Sequence, residues 1–177
     1  AKYVCEGLDD CGYPLCTGNY MATNNRWCQP VSMWKNYYKK WTKNPEYERL
    51  LNITVFLEMR SVFGCEAYVD ELKNCLHINI SKNREFLLML VREATKIQPP
   101  LGIFNKLVLE KTGDNAKTLN IKKFAINLII DLARIYGLMA NSKSSGTEER
   151  FKSAYDQGVL SEVAYKDIMS AFRFIQS

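Results

Sequence analysis

One stretch of sequence decides the fold: FAINLIIDLARIYGLM, at residues Phe124 to Met139. It is long enough for four helical turns and is apolar on nearly every side, which is typical of a helix surrounded by protein. Three polar side chains interrupt it, Asn127, Asp131 and Arg134, at spacings that place them on one stripe. A buried aspartate and arginine must pair, because an isolated buried charge is strongly destabilising. The stripe is either a structural ion pair between helices or the polar lining of a ligand cleft.

The composition is that of an ordinary globular protein. The chain has 177 residues, of which 47% are hydrophobic and 24% charged, so it can bury a core as one large domain or two small ones. No apolar run reaches the length of a membrane span, and the first residues lack the pattern of a signal peptide. Both ends stop within helical patterns. We therefore expect a cytoplasmic protein, and we expect the chain to be a piece of a longer one.

The net charge of +5 raises the question of nucleic-acid binding. Lysines and aromatic residues alternate between Met33 and Lys43, a combination that can bind RNA or phosphates. The apolar members of this segment fall on one helical face, with the lysines mostly on the other: Met33, Trp34, Tyr37, Tyr38 and Trp41. We favour a core-facing stripe with a solvated back, and we predict no nucleic-acid partner.

Six cysteines suggest three alternatives: disulfides, a metal site or reduced thiols. They are Cys5, Cys11, Cys16, Cys28, Cys65 and Cys75. A chain this long and this rich in core residues does not need disulfides. No C-x-x-C pair occurs, and His77 is the only histidine, so zinc is weakly supported. We predict reduced structural thiols and no metal site.

Amphipathic spacing and capping residues predict helices along most of the chain. The predicted segments are residues 1–11, Pro30 to Lys43, a segment begun by Pro45 and Glu46, Glu66 to Leu76, Ser81 to Ile97, Thr147 to Gly158, and Ser161 onward. The expected caps are Asn44, Ser81, Thr147 and Ser161. Asn141 to Gly146 reads as a polar loop. The most economical domain boundary lies between Cys75 and Ser81.

Three segments carry other predictions. Asn19 to Thr23 suggests a short strand. Leu51 to Gly64 combines a β-branched start with a helical length and a terminal glycine, and we favour a helix there. Glu58 and Arg60 are charges within this apolar run, so at least one should have a partner. The segments 104–110 and 117–121 flank the turn residues 112–115 and predict a β-hairpin.

The residues alone do not make an active site. His77 has no obvious catalytic partners, and the sequence contains no P-loop and no G-x-G-x-x-G. Adjacent carboxylates that could hold Mg²⁺ occur at Asp9-Asp10 and Asp70-Glu71, but both pairs lie on amphipathic surface helices. The sequence thus indicates a helical binding module.

The order of several motifs resembles a bacterial nucleotidyltransferase-like family related to protein-PII uridylyltransferase. The first blocks are Gly12 to Asn24, then Trp27, Gln29-Pro30, Trp34 and Trp41, and then Phe56 to Arg60 with Gly64. The later blocks resemble the substrate-binding domain of that family: Pro99 to Phe104, Asn120 to Lys122, Asp131 to Tyr136, Thr147 with Arg150, Gly158 to Ser161, and Ala171 to Phe174.

The resemblance implies a mostly α chain in two parts. Residues 1–78 would be the helical end of a nucleotidyltransferase-like α/β domain, and residues 79–177 a helical bundle with a small β-hairpin that binds substrate and is truncated at its C-terminus. The family's catalytic Gly-Ser turn and Asp-x-Asp pair, which hold Mg²⁺ and a nucleoside triphosphate, do not occur in this sequence. We therefore expect the fragment alone to be inactive and its longer parent to use both.

The resemblance also implies partners and site residues. The acceptor would be a PII-like regulatory protein, and cyclic-nucleotide-binding or CBS modules would lie upstream in the same chain. Glu58, where the family usually has aspartate, and Arg60 are candidates for the edge of the active site. Asp131 and Arg134 match the family's substrate-domain motif and, together with Asn127 of the same helical stripe, are candidates for substrate binding. The alternative is a non-catalytic regulatory module that relays the state of such sensing domains to a partner.

Overall fold

The computed structural model describes residues 1–44, 47–97, 100–101, 109 and 118–176. These residues are mostly helical and form no sheet, which confirms the predicted fold class. The helices are α1 (Lys2–Asp10), α2 (Val31–Lys43), α3 (Tyr47–Phe56), α4 (Glu66–Lys82), α5 (Arg84–Thr95), α6 (Asn127–Met139), α7 (Thr147–Asp156) and α8 (Glu162–Gln176). A π-helical turn, Lys122–Ile126, leads directly into α6. The predicted β-hairpin falls for the most part outside the described residues.

The first core is built around an aromatic cluster. Phe56, the last residue of α3, lies among three tryptophans, with ring centroids 4.8 Å from Trp27, 4.7 Å from Trp34 and 6.2 Å from Trp41. The apolar face of α2 turns into this cluster, as its helical spacing predicts, and Tyr38 is fully buried. Met33 is exposed, so its inclusion in that face was wrong. The aromatic packing fixes the end of α3 two residues before Glu58.

The second core lies between α6, α7 and α8. Its buried residues are Ile129, Ala133, Ala140, Phe151, Ala154, Leu160, Met169 and Phe172. The alanines allow α6 and α7 to approach closely. Helix α6 also contributes Ile135 to the first core, against which Leu128 and Leu138 pack. The prediction that this helix is surrounded by protein is confirmed.

Several predicted boundaries differ from the structure. Asn19 to Thr23 is a turn and not a strand: Asn19 has a positive φ of 57°, and its carbonyl accepts a hydrogen bond from Trp27 Nε1 at 3.0 Å. The segment Leu51 to Gly64 is helical only through Phe56. Beyond Phe56 the chain turns at Leu57, which is buried, and Gly64 lies in a loop with a φ of 98°.

Two capping predictions were also wrong. Ser81 lies inside α4, where its hydroxyl donates to the carbonyl of Ile78, and the residue that caps α5 is Asn83. Asn83 has an extended backbone, and its side chain accepts from the amide of Glu85 at 3.1 Å. Thr147 is the first residue of α7, because the extended residue before the helix is Gly146. Ser161 precedes α8, and its hydroxyl accepts from the amide of Ala164, as predicted.

Two further predictions concern the thiols and the division of the chain. All six cysteines are free, which agrees with reduced thiols. Helix α4 passes without a break through the predicted domain boundary. The division into residues 1–78 and 79–177 stays a prediction.

Candidate functional site

Glu58 lies at the centre of a cluster of charges between α3, α6 and α7. It follows Leu57, which is buried, and precedes Met59, which packs against the first core. These apolar neighbours hold the backbone on the core, while the carboxylate reaches the two later helices. The alternation of apolar and charged residues therefore fixes the backbone of Glu58 against the first core and directs its carboxylate away from that core.

Two arginines bind the same oxygen of this carboxylate. Arg134 Nε on α6 and Arg150 Nη1 on α7 each donate to Glu58 Oε1 at 2.9 Å. Arg134 Nη1 also donates to Asp131 Oδ1 at 2.7 Å, and Arg150 Nε donates to the carbonyl of Ser144 at 3.0 Å. Among the described residues, nothing donates to Glu58 Oε2.

The members of this cluster differ in burial. The side chain of Arg150 is 7% exposed, that of Arg134 is 22% exposed, and that of Glu58 is 36% exposed. A charge as buried as Arg150 requires a partner, so Glu58 is part of what holds α7 in place. The less buried half of the cluster is accessible from solvent.

Gly137 makes room for Arg150 to lie across α6. A Cβ atom at Gly137 would come within 2.9 Å of Arg150 Cγ, closer than real carbon contacts allow. The absence of a side chain at this position therefore lets the arginine pass over the helix and reach Glu58.

The pKa of Glu58 is held below its ordinary value. Burial alone would raise it, but the hydrogen bonds and positive charges of Arg134 and Arg150 together outweigh burial. Glu58 is thus a carboxylate at neutral pH. Its arrangement suits binding and positioning, whereas a general acid would need a raised pKa.

A polar groove of about 420 Å³ opens beside this cluster. It is lined by Glu58, Arg60, Ser144, Ser145, Gly146 and Glu149. Arg60 and Glu149 are exposed at its rim. The lining carries both signs of charge together with hydroxyl groups, which suits a polar ligand or a protein segment more than an apolar molecule.

The predicted site residues have different positions in this arrangement. The structure brings Glu58, Asp131 and Arg134 together and places Arg60 on the groove. Asn127 is exposed one turn before Asp131 and takes no part in the hydrogen bonds of the cluster. Whether these side chains contact a substrate stays a prediction.

Arg150 was not among the predicted site residues. It was named only within the family resemblance, because it lies in a polar run that is typical of a solvated helix face. Its proximity to Phe151, on the buried side of α7, was the available indication.

Neither a three-ligand metal site nor a membrane-spanning helix occurs among the residues that the structure describes. No group of three or more histidine, cysteine, aspartate or glutamate side chains in this part of the chain is arranged to hold a metal ion. No helix in the same residues has the length and apolar character needed to cross a bilayer.

The fold and the site define a helical domain with a charged cluster beside an open groove. Comparison with protein families is more specific. Residues 84–177, more than half of the chain, match the family described as "Putative nucleotidyltransferase substrate binding domain", and the chain belongs to that family. Residues 1–48 match a second family model, described as "Putative nucleotidyltransferase DUF294". Comparisons with curated proteins and with solved structures gave no match.

The two matched segments flank the residues that complete the cluster. Glu58 and Arg60 lie between the two matches, whereas Arg134 and Arg150 lie within the second. The ion pairs of Glu58 therefore connect the substrate-binding family segment to the part of the chain that precedes it.

Proposed function

We propose that this chain is the acceptor-binding part of a nucleotidyltransferase of the uridylyl- or adenylyltransferase kind. The acceptor is a PII-like regulatory protein in the cytoplasm. The family assignment supports the role in substrate binding. The observation that carries the proposal furthest is the polar groove beside Glu58, because it lies where the substrate-binding family segment meets the residues that precede it.

The groove has the size and chemistry for an acceptor segment. Its volume of about 420 Å³ is within the range of ligand pockets, and its charges of both signs can pair with those of an exposed loop. Glu58 Oε2 and the guanidinium of Arg60 are the groups that would contact the acceptor. Asp131 and Arg134 would hold the wall of the groove in place.

The transfer chemistry would come from elsewhere in a longer parent protein. This sequence has no Gly-Ser turn and no Asp-x-Asp pair, the motifs that the family resemblance assigns to Mg²⁺ and the nucleoside triphosphate. In this proposal the fragment orients the acceptor and does not transfer nucleotides itself. Upstream cyclic-nucleotide-binding or CBS modules would control when the acceptor is presented.

The direct test is a labelling experiment on the parent protein. It is incubated with Mg²⁺, a purified PII-like protein and UTP or ATP labelled at the α-phosphate, and the label on the acceptor is measured. We expect labelling that falls at least roughly tenfold in the Arg60→Gln variant, as for a lost charge-assisted hydrogen bond. Arg84→Gln, which removes an exposed arginine that does not line the groove, is the matched control and should retain labelling.

The competing function is a non-catalytic regulatory module. No labelling with either nucleotide, combined with acceptor binding that depends on Arg60, would favour that module. Labelling that is equal in the Arg60→Gln and Arg84→Gln variants would remove the groove from the proposal.

A further inference from the structure

A second and smaller cavity adjoins the charged cluster. It lies where α4, α6, α7 and the loop 142–144 meet, and its volume is about 20 Å³. That is room for one water-sized group of atoms. Its polar lining consists of Lys73, His77, Arg134, Ser142, Lys143, Ser144 and Arg150.

Positive charge exceeds negative charge around this cavity. Four of the lining side chains are cations, from three helices and one loop. The two arginines are paired with Glu58 and Asp131, but Lys73 Nζ donates to a neutral acceptor, the carbonyl of Lys143, at 2.8 Å. Asp70 is a carboxylate close enough to Lys73 to interact with it. Asp70 offsets part of the charge of Lys73, and in the described part of the chain neither lysine forms a direct ion pair with a carboxylate.

His77 supplies an unmatched polar atom at the same place. Its Nδ1 atom is buried and has no hydrogen-bond partner in the described part of the chain. Burial lowers the pKa of His77; the nearby main chain of Ser142 opposes this shift, and the charges of Lys73 and Lys143 reinforce it. A buried nitrogen of this kind normally forms a hydrogen bond with an ordered water or a ligand.

We propose that the cavity receives one oxygen of a phosphate group. A single oxygen fits the volume, and its negative charge would offset the two lysines, which a water molecule cannot do. The rest of the phosphate would remain at the mouth of the cavity, where Lys143 is exposed. The source can be free inorganic phosphate or the phosphate of a nucleotide, and the second source rests on the proposed function.

The experiment is isothermal titration of the chain with sodium phosphate at pH 7. Sodium chloride of matched ionic strength is the reference, because salt screens non-specific attraction. We expect specific phosphate binding that weakens roughly tenfold in Lys73→Gln and roughly threefold in Lys143→Gln. Lys82→Gln removes an exposed lysine from the same helix as Lys73 and should change the affinity by less than about twofold.

Two variants keep the test valid if one of them folds poorly. Lys143→Gln alters an exposed side chain and retains the carbonyl that accepts from Lys73. Phosphate binding no stronger than that of the chloride reference would overturn the proposal. Water would then be the expected occupant of the cavity. Equal affinities of Lys73→Gln, Lys143→Gln and Lys82→Gln would overturn it as well.

A second titration, with UMP and AMP, distinguishes the sources of phosphate. Binding of a nucleotide more than about tenfold tighter than inorganic phosphate would identify the nucleotide as the ligand. Equal affinity would identify the phosphate alone. These titrations need neither acceptor nor transfer, so the site can exist even if the acceptor-labelling experiment fails.

Discussion

The side chain of Arg150 on α7 lies directly over the backbone of Gly137 on α6. A Cβ atom at Gly137 would approach three carbons of that side chain, at 2.9, 3.1 and 3.2 Å. The guanidinium reaches Glu58 only by crossing the helix at this point. A glycine within a buried helix therefore determines where a charge is placed.

Gly137→Ala should destabilise the chain. Overpacking against Arg150 costs about 1–3 kcal/mol, and the better helix propensity of alanine recovers up to about 1 kcal/mol. We expect a net loss of about 1 kcal/mol in the free energy of unfolding, measured with urea. Gly7→Ala is the matched control, because a Cβ atom at Gly7 of α1 meets nothing within 4 Å. That variant should be neutral or stabilising, and equal behaviour of the two would contradict the close contact.

Glu58→Gln should be more destabilising than the loss of an ordinary surface pair. The substitution leaves the buried guanidinium of Arg150 without its anionic partner. We expect the free energy of unfolding to fall by about 2 kcal/mol. This is less than for a fully buried pair, because Glu58 is partly exposed. The control is Glu71→Gln, which breaks the exposed ion pair with Lys35 and should cost no more than about 1 kcal/mol. Urea unfolding of both variants gives the comparison.

Asp131→Ala should lower the free energy of unfolding by less than it would if Asp131 were the sole anionic partner of Arg134. Arg134 retains Glu58 as a second anionic partner, and Asp131 is partly exposed. We expect a loss of about 1 kcal/mol in wild type and a larger loss in a Glu58→Gln background. A double-mutant cycle measures this difference. Additive effects of the two substitutions would mean that the two carboxylates do not share the arginine.

Acid should reduce stability through Glu58. Its folded-state pKa lies below its ordinary value of 4.5, so the carboxylate contributes stability that is present above pH 4.5 and lost as pH falls through the folded-state pKa. The free energy of unfolding of wild type should therefore fall more steeply below about pH 4.5 than that of Glu58→Gln. Parallel curves for the two proteins over this range would show that Glu58 has no shifted pKa.

Protonation of His77 should change the free energy of unfolding in a separate pH range. Its folded-state pKa lies below its ordinary value of 6.5, so the unfolded chain takes up a proton first as pH falls. Stability that is present above pH 6.5 should decrease between about pH 6.5 and the folded-state pKa, and His77→Gln should remove this decrease. Phosphate should reduce the decrease in wild type if the anion binds beside His77. The measurement is urea unfolding at pH steps between about 5 and 8.

Local patterns predicted the helices and half of the charged cluster. The apolar surroundings of Asp131 and Arg134, three residues apart on one helix, identified α6 as buried and the two charges as a pair. The wrong boundaries have local causes. The caps of α5 and α7 lie two and one residues from the predicted ones, because several residues near each helix start can cap.

The other half of the cluster depends on tertiary structure. Glu58 is 76 residues from Arg134 and 92 residues from Arg150, and no local periodicity connects them. Arg150 in particular occurs in a run of charged residues that, by itself, reads as solvent-facing. Only the packing of α7 on α6, permitted by Gly137, turns that side chain inward.

The two faces of α6 have a thermodynamic consequence. Ile135 packs into the aromatic core and Ala133 into the core of α7 and α8, so the loss of either core exposes the same helix. Unfolding of one core should therefore destabilise the other. Calorimetry should record a single unfolding transition and not two. A chain divided within α4 would leave the N-terminal fragment without α6, and the C-terminal fragment with the Ile135 face of α6 uncovered.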